Sequence, residues 1–370
     1  MCYSEREGLT APSRFLFLKN YDEEVACLPR STQMNDLTSP ELVAQVNPEN
    51  LRLKKDFLDY LKSVQRSPGT IRGYENDLDI FFVYCMKNLG NKNFASVSKR
   101  DLVSFQNWLI NENGNSPSRV RRIKSAISSL SNFIEAILDD EEEFKNFRSI
   151  VRKIESPVNQ PVRDKTILSE EQLNKLLKML TDSGKHEKAC MLALAMHSGR
   201  RKSELVRFRV DDFKDENLVC GGALYKTSGT IKTKGFGHGK YIYCYTLAKD
   251  FKPYFDRWME QREKDSIVSE WLFPLKGNPT QQMKPETLNS WAISFGKLLG
   301  VDFYWHCLRH YFTTDLARSG LPDGVIQEII GWTSSDMVRL YKDLTTEEQL
   351  DQYFDETGIK VVQPTKLSDL

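Results

Sequence analysis

The chain has 370 residues, of which 40% are hydrophobic and 28% are charged, with 52 Lys and Arg against 51 Asp and Glu. This length exceeds that of an ordinary single domain, and the composition is typical of a globular chain that buries a substantial core. The formal charge of +1 excludes a chain that is basic or acidic overall, so any surface for an anionic partner must come from local sorting of charge.

The cysteines and the apolar runs indicate a compartment. The chain has seven Cys, an odd number with no Cys-x-x-Cys pair, which argues against a disulfide framework or a zinc site. No apolar run reaches the length of a membrane span, and the first residues lack the apolar stretch of a signal peptide. These features predict a cytoplasmic protein with no membrane partner.

The N-terminal half predicts a helical domain. Residues 1–46 mix charges with three prolines and are interpreted as an N-terminal extension. From 47 to 155 the apolar residues recur at helical spacing, which predicts a bundle of four or five helices. Thr70 is predicted to cap the second helix, the third begins near Ser98, and the fourth begins near Ser116 with a proline at an early position.

The predicted fourth helix carries a run of basic residues with no acid between them. A solvated helix face is one interpretation, although such faces usually mix the two signs of charge. The run begins beside hydroxyl groups and therefore also favours contact with phosphate. The candidate phosphate contacts are Arg119, Arg121, Arg122 and Lys124.

Residues 156–166 contain two prolines and predict an extended linker before a second domain at 167–355 and a tail at 356–370. Ser169 is the predicted N-cap of the first helix of that domain. Three short β signals follow, at 217–220, at 223–226 or 229–231, and at 241–245. The last two flank a glycine-rich loop, 234–240, and predict a hairpin. The fold class is therefore mainly α with a small β-sheet.

The stretch from Trp305 to Tyr341 carries the residues with chemical potential. His306 and Arg309 are three positions apart and would project from one face of a helix. A base beside a permanent cation suits phosphoryl transfer, and Tyr341 could act as a phenol nucleophile if it were brought to the same place. Taken singly, each of these residues is more often a surface pair or a half-buried core residue.

Three motifs in order point to one family. Residues 196–205, Met-His-Ser-Gly-Arg-Arg-Lys-Ser-Glu-Leu, resemble the Gly-Leu-Arg-x-Ser-Glu-Leu box of the tyrosine recombinases, the phage integrase family. Residues 306–310, His-Cys-Leu-Arg-His, resemble the His-x-Leu-Arg-His box of that family. Gly331-Trp332, followed nine positions later by Tyr341, resembles the closing box. The resemblance extends from about residue 166 to 354, with the preceding helical region matching more loosely, and it is closest in kind to the Xer and Cre types.

The resemblance implies a two-domain DNA clamp, in which a helical core-binding domain and a catalytic domain close on a duplex. It also implies a phosphoryl transfer without metal or cofactor, through a 3′-phosphotyrosyl intermediate. Double-stranded DNA with a specific site would be the partner, and a homo-tetramer would assemble on it. In relatives a helix after the nucleophile docks into a neighbouring protomer, and a helix is predicted here from Thr345 onwards.

The resemblance also assigns roles to residues of this chain. Tyr341 is the implied nucleophile, and Arg201 and Arg309 hold the phosphate, while Glu204 and His310 support them. His306 assists proton removal from Tyr341, and Trp332 stands where the family more often has His. A lysine on the hairpin protonates the leaving oxygen; Lys234 is the preferred candidate and Lys232 the alternative. Arg200 departs from the pattern, because the family usually has an apolar residue there.

Two other functions fit the same motifs. The first is a DNA-binding regulator that keeps the fold without using its catalysis, and a Tyr341→Phe protein that still performed its biological task would favour it. The second is a type IB topoisomerase-like enzyme, which shares the chemistry but acts as a monomer.

Overall fold

The computed structural model describes residues 38–158, 166–233 and 239–345, together with the backbone of two short strands at 354–355 and 358–359. Within these ranges the helices are α1 (Pro40–Val43), α2 (Pro48–Ser63), α3 (Pro68–Asn88), α4 (Lys99–Asn111), α5 (Pro117–Ile137), α6 (Glu170–Asp182), α7 (His186–Ser198), α8 (Lys202–Leu205), α9 (Ala248–Lys264), α10 (Thr287–Leu299), α11 (Cys307–Arg318), α12 (Asp323–Ile330) and α13 (Asp336–Tyr341). The strands are β1 (Leu218–Val219), β2 (Leu224–Lys226), β3 (Ile231–Lys232), β4 (Tyr241–Ile242), β5 (Tyr245–Leu247), β6 (Pro274–Leu275), β7 (Asn278–Gln282), β8 (Phe354–Asp355) and β9 (Gly358–Ile359).

Several predictions fall outside the described residues. They are Lys234, residues 1–37 of the predicted extension, the middle of the linker, and most of the helix expected after Thr345 and of the C-terminal tail. The mainly α fold with small sheets is confirmed. No helix in the described ranges is both long and apolar enough to cross a membrane.

Helices α1 to α5 form one domain around an apolar core that runs from Val46 to Ile150. Helices α2, α3 and α5 each begin with a proline that follows a capping side chain. Ser116 caps α5 by accepting a hydrogen bond from the backbone N–H of Arg119, with Pro117 next in the chain. The predicted cap of α3 was wrong by three residues, because the Ser67 hydroxyl caps the helix by accepting from the backbone N–H of Thr70, and Pro68 opens the helix. Pro at the first helical position loses no hydrogen bond.

The second domain is built around α7, which is buried along nearly its whole length between α6, α9 and α11. The segment from Ala189 to Met196 has no residue exposed by more than 2%. A helix surrounded by others must carry apolar or small residues on every side, which explains its sequence. Helix α7 ends at Ser198, with Gly199 as its C-cap, inside the first of the three motifs.

The β signals were right in place but partly wrong in connection. Residues 241–245 were predicted as one strand, whereas the chain changes partners inside this run. Strand β4 pairs with β3, and β5 pairs with β2 in a three-stranded sheet ordered β1-β2-β5. At the switch, the backbone N–H of Cys244 donates to the Thr227 hydroxyl at 3.1 Å, so a side chain replaces the lost ladder partner. The predicted hairpin is β3–β4.

The basic run on α5 divides into two parts. Arg119 and Arg122 form ion pairs with the carboxylate of Asp77 on α3, which is fully buried. Burial raises the pKa of Asp77, even though both arginines oppose that shift. The run is therefore acid-free in sequence but not in space. The Arg122 side chain is still 54% exposed.

Lys124 was predicted to contact phosphate, and its surroundings contradict that prediction. The residue is 7% exposed, and its ammonium group donates to the backbone carbonyls of Ile154 and Glu155 and to the hydroxyl of Ser156. An ammonium group has three donors, and all three have acceptors here. Lys124 therefore fastens the start of the linker to α5, and it does not face an external phosphate.

Candidate active site

Three segments far apart in sequence meet beside the C-terminus of α7. They are the turn at Gly199, the first turn of α11, and the region from α12 to α13. Gly199 has φ +59°, and a Cβ there would lie 2.5 Å from the ring of Phe312 on α11. Only glycine fits both this left-handed backbone and this close approach. The sequence therefore brings the segment that carries Arg201 directly against α11.

His306 and Tyr341 are in direct contact. The His306 Nε2 atom lies 2.6 Å from the Tyr341 hydroxyl oxygen, although the residues are 35 positions apart. His306 occupies the N-cap position of α11 without a capping hydrogen bond from its side chain, and Tyr341 is the last residue of α13. The Tyr341 side chain is 7% exposed. The phenol is thus held at hydrogen-bond distance from a base, as a tyrosine nucleophile requires.

The surroundings of His306 keep its imidazole neutral. Burial, together with the charges of Arg309, His310 and Arg201, lowers the pKa of His306 to about 4. A neutral imidazole has one nitrogen free to accept a proton. At neutral pH, His306 can therefore act as a base toward the Tyr341 hydroxyl.

His310 contacts Tyr341 from the other side. Its ring stacks on the Tyr341 ring with centroids 4.4 Å apart, and its Nδ1 atom lies 3.2 Å from a carboxylate oxygen of Asp343. Thr314 reinforces the same segment, because its hydroxyl donates to the backbone carbonyl of Tyr341 and accepts from the backbone N–H of Asp343. These contacts fix the position of the phenol ring. The supporting role of His310 stays a prediction, and these contacts are consistent with it.

Arg201 is held by a buried carboxylate. Its Nη1 donates to Glu204 at 3.0 Å, and its backbone N–H donates to the other oxygen of the same carboxylate at 3.1 Å. Glu204 is fully buried, whereas the Arg201 side chain keeps 34% of its surface exposed. One edge of the guanidinium is therefore anchored, and the exposed remainder can meet a ligand.

Arg309 presents donors that nothing in the described part of the chain accepts. Its Nη1 donates to the carbonyl of Gly199 at 2.8 Å. Its Nε and Nη2 are buried and have no hydrogen-bond partner among the described residues, and the same is true of the indole Nε1 of Trp332. The guanidinium carbon of Arg309 lies 4.8 Å from the centre of the Trp332 ring. Unpaired buried donors are costly, so a cluster of them indicates a site built for an acceptor that binds there.

The charge of Arg309 has no acidic partner close enough for an ion pair among the described residues. Burial, with the nearby charges of Arg200 and Arg201, lowers the pKa of Arg309 to about 9. The guanidinium is still protonated at neutral pH. An anion would relieve its isolation, and a phosphate that gains negative charge during reaction would relieve it most.

The site therefore combines a phenol, a neutral base and a cationic cradle of unpaired donors. This arrangement is suited to phosphoryl transfer. Among the described residues, no group of three or more His, Cys, Asp or Glu side chains could hold a metal ion.

The predicted site residues fall into two groups. The structure brings together Arg201, His306, Arg309, Trp332 and Tyr341, with Glu204 and His310 around them. Lys234 lies outside the described residues, and Lys232 is on β3 with its backbone carbonyl accepting a hydrogen bond from Arg207.

Two residues that contact the site were not predicted from the sequence. Asp343 follows Tyr341 by two positions and lies beside His310. Lys240, from the hairpin, donates to the carbonyl of Gly331 at 3.3 Å. Neither residue belongs to a motif. The only signal for Asp343 was its nearness to Tyr341 in the chain.

Comparison with known sequences gives the family. The sequence model of the phage integrase family matches residues 166–348, and that of the N-terminal SAM-like domain of phage integrases matches residues 53–142. The chain belongs to the phage integrase family of tyrosine recombinases, enzymes that cleave and rejoin DNA. This supports recombination over the two alternative functions.

One relative and two solved structures are similar along most of the chain. The SPbeta prophage-derived recombinase-like protein YomM of Bacillus subtilis is 27% identical over 254 residues, which cover 68% of this chain and 72% of that protein. The XerH site-specific recombinase in a post-cleavage complex with its difH substrate has a TM-score of 0.62 at 18% identity, over 86% of this chain and 97% of that one. A lambda integrase tetramer bound to a Holliday junction has a TM-score of 0.59 at 15% identity, over 79% of this chain and 77% of that one.

The pKa of His306 gives a direct test of the site without DNA. We expect the His306 ring signals to titrate near pH 4 in an NMR experiment, well below the usual value of 6.5. Because folding disfavours the protonated ring, this group should lower the free energy of unfolding as the pH falls from 6.5 towards 4. The matched variant His306→Gln assigns the signal by removing it. A titration midpoint near 6.5 would contradict the proposed neutral base.

Proposed function

We propose that Tyr341 is the nucleophile of this recombinase and that the chain cuts and rejoins double-stranded DNA at a specific site. The observation that supports this most strongly is the contact of 2.6 Å between the Tyr341 hydroxyl and His306 Nε2. It lies beside the unpaired donors of Arg309 and Trp332. A phosphoryl transfer needs a nucleophile, a base beside it and hydrogen-bond donors that are free to bind the phosphate.

In the proposed reaction, His306 takes the phenolic proton as the Tyr341 oxygen attacks the phosphorus of a DNA phosphodiester. The bond from phosphorus to the 5′ oxygen breaks. The products are a 3′-phosphotyrosyl ester and a 5′-hydroxyl. Rejoining is the same reaction in reverse with a 5′-hydroxyl as the attacking group. The phosphoester energy is retained in the protein–DNA link, so no ATP is needed.

Arg201, Arg309 and Trp332 stabilise the phosphate in this scheme. The added negative charge of the pentacoordinate phosphorus meets two guanidinium groups and an indole N–H. Such donors act more strongly on the transition state than on the ground state, because charge accumulates on the phosphoryl oxygens as the bond forms. Glu204 keeps Arg201 in place.

The proton for the departing 5′ oxygen is assigned to Lys234 of the hairpin, with Lys232 as the alternative. Lys234→Ala is expected to lose cleavage, whereas Lys232→Ala is expected to cleave at a rate near that of the wild type. A lysine that donates a proton to a leaving group contributes about 10²- to 10⁴-fold. Both variants are compared by the rate of covalent complex formation. Loss in the Lys232 variant with normal cleavage in the Lys234 variant would reverse the assignment.

Loss of general-acid catalysis has a chemical signature. A 5′-phosphorothiolate at the scissile position leaves without a proton, since a thiolate is a far better leaving group than an alkoxide. The variant of the true proton donor should therefore regain cleavage on that substrate.

DNA binding is assigned to the helical domain as well as to the site. Arg119, Arg121 and Arg122 of α5 are the proposed phosphate contacts, and the buried carboxylate of Asp77 positions two of them. Contacts of this kind hold the duplex in register without reading its sequence. The tetramer of lambda integrase on a Holliday junction supports a homo-tetramer on DNA for this chain, acting in the cytoplasm.

The function is tested by trapping the protein on DNA. Duplexes that the protein selects from a random-sequence pool supply the site, and a nick placed beside the scissile position lets the released fragment diffuse away. Wild-type protein is expected to accumulate as a covalent protein–DNA complex that resists denaturation, without metal or nucleotide. Tight selection of a site without any covalent complex would instead favour the DNA-binding regulator.

A further inference from the structure

Arg200 directly precedes Arg201 in the chain and is one of the most buried charged side chains, with 1% of its surface exposed. All of its side-chain nitrogens have acceptors. Nε donates to the carbonyl of Ser198 at 3.0 Å, Nη1 to the Cys244 sulfur at 3.6 Å, and Nη2 to the carbonyl of Ile329. Each nitrogen of this buried guanidinium is therefore already bound to a protein acceptor.

These acceptors come from three different elements. Ser198 is the last residue of α7, Ile329 lies in the last turn of α12, and Cys244 lies between β4 and β5. Carbonyls at a helix C-terminus carry partial negative charge and stabilise a cation. No ion pair of Arg200 with an acid is found among the described residues, so two helix ends take the place of a carboxylate. The guanidinium therefore ties the end of α7 to the end of α12.

The segment beyond α12 carries the nucleophile. Helix α12 ends at Ile330, Gly331 is its C-cap, Trp332 follows, and Tyr341 is at the end of α13. Gly331 has φ +73°, and a Cβ there would lie 3.8 Å from Nη1 of Arg200 and 2.6 Å from Ile242. The backbone that leads to Tyr341 thus packs directly against the Arg200 side chain. Movement of this contact would move Trp332 and the start of α13.

Arg200 and Arg309 have opposite hydrogen-bonding states. Both are about 1% exposed, but within the described ranges Arg309 keeps two nitrogens without a partner, whereas Arg200 keeps none. Arg309 is therefore equipped to bind phosphate, and Arg200 is equipped to bind protein. This difference separates a group that touches the reacting atoms from one that acts through others.

We propose that Arg200 is a positioning residue, which docks the segment from α12 to α13 onto the α7 turn and so aligns Tyr341 and Trp332 with Arg201 and Arg309. This inference rests on the proposed function of Tyr341. An apolar residue at this position could fill the space but could not donate hydrogen bonds to the carbonyls at both helix ends. Arg200 therefore supplies a link between the two helix ends that the apolar residue usual in the family could not supply.

The test compares Arg200→Met with Arg262→Met. Arg262 is a matched control, because it is also buried and also donates to backbone carbonyls, but it holds the loop after α9. Below the melting temperatures of both variants, Arg200→Met is expected to slow single-turnover cleavage by about 10- to 100-fold, the scale of a misplaced catalytic group. DNA affinity should change by no more than about threefold, because affinity depends on phosphate contacts over the whole duplex. Amide hydrogen exchange of residues 331–341 should accelerate, and Arg200→Lys should recover part of both properties.

Arg262→Met is expected to lose thermal stability with cleavage and exchange at 331–341 unchanged. The proposal is overturned if Arg200→Met keeps wild-type cleavage and wild-type exchange, or if both variants lose cleavage in proportion to their loss of stability. The hydrogen-exchange comparison needs no DNA. A wild-type protein that formed no Tyr341–DNA link would therefore contradict the proposed function while the docking role of Arg200 was still measured.

Discussion

Replacement of Tyr341 by Phe is expected to abolish the covalent complex. The change removes only the phenolic oxygen, so the ring can keep its stacking on His310 and its contact with Trp332. Loss of a nucleophile removes the reaction path itself, and we expect single-turnover cleavage to fall by on the order of 10⁴-fold or more. The measurement is the fraction of labelled DNA linked to protein after denaturation.

The affinity of the Tyr341→Phe protein for the same duplex should stay within about threefold of the wild type, because phosphate contacts dominate binding. Tyr254→Phe is a suitable control, since Tyr254 is a half-buried phenol that packs against the domain core from α9. Cleavage by the Tyr341→Phe protein at a wild-type rate would mean that another group attacks the phosphate.

Replacement of Arg309 by Met is expected to separate activity from stability. Cleavage should fall by about 100- to 1,000-fold, the usual loss on removing a donor to a developing negative charge. The pKa of Arg309 is lowered to about 9, so folding disfavours its charged form. The wild-type free energy of unfolding is therefore reduced at neutral pH and recovers as the pH rises above 9. An apolar side chain removes this penalty, and the melting temperature of the variant should equal or exceed that of the wild type.

The stability half of this prediction is measured by thermal unfolding at pH 7 without DNA. Arg309→Lys is the matched control, because it keeps a buried charge while losing the planar fork of donors. It should be impaired in cleavage without a gain in stability. A marked fall in melting temperature for Arg309→Met would contradict the view that the guanidinium is held ready for a ligand at a cost to the fold.

Most of the site could be predicted from the motifs, because each motif holds its functional residues only a few positions apart in the sequence. His306 and Arg309 are three residues apart, and the first turn of α11 places both at the site, as helical geometry requires. Arg201 and Glu204 have the same spacing, and they form an ion pair at 3.0 Å. The spacing of residues along the chain could not show that the three motifs meet, since their meeting depends on the packing of α7 against α11.

The errors have a common physical cause. The basic run on α5 looked acid-free because Asp77 lies 42 residues before Arg119, on the neighbouring helix. The run at 241–245 looked like one strand because alternation does not record which partner a strand pairs with. Lys124 looked like its arginine neighbours, but its buried position points it at the linker. Local patterns carry no information about such distant partners.

The most direct measurement of the central claim is the identity of the residue bonded to DNA. Covalent complexes trapped on a nicked duplex are digested with protease and nuclease, and the remaining peptide is sequenced by mass spectrometry. The account predicts a nucleotide attached through its 3′-phosphate to the oxygen of Tyr341. Attachment to any other residue, or through a 5′-phosphate, would contradict it.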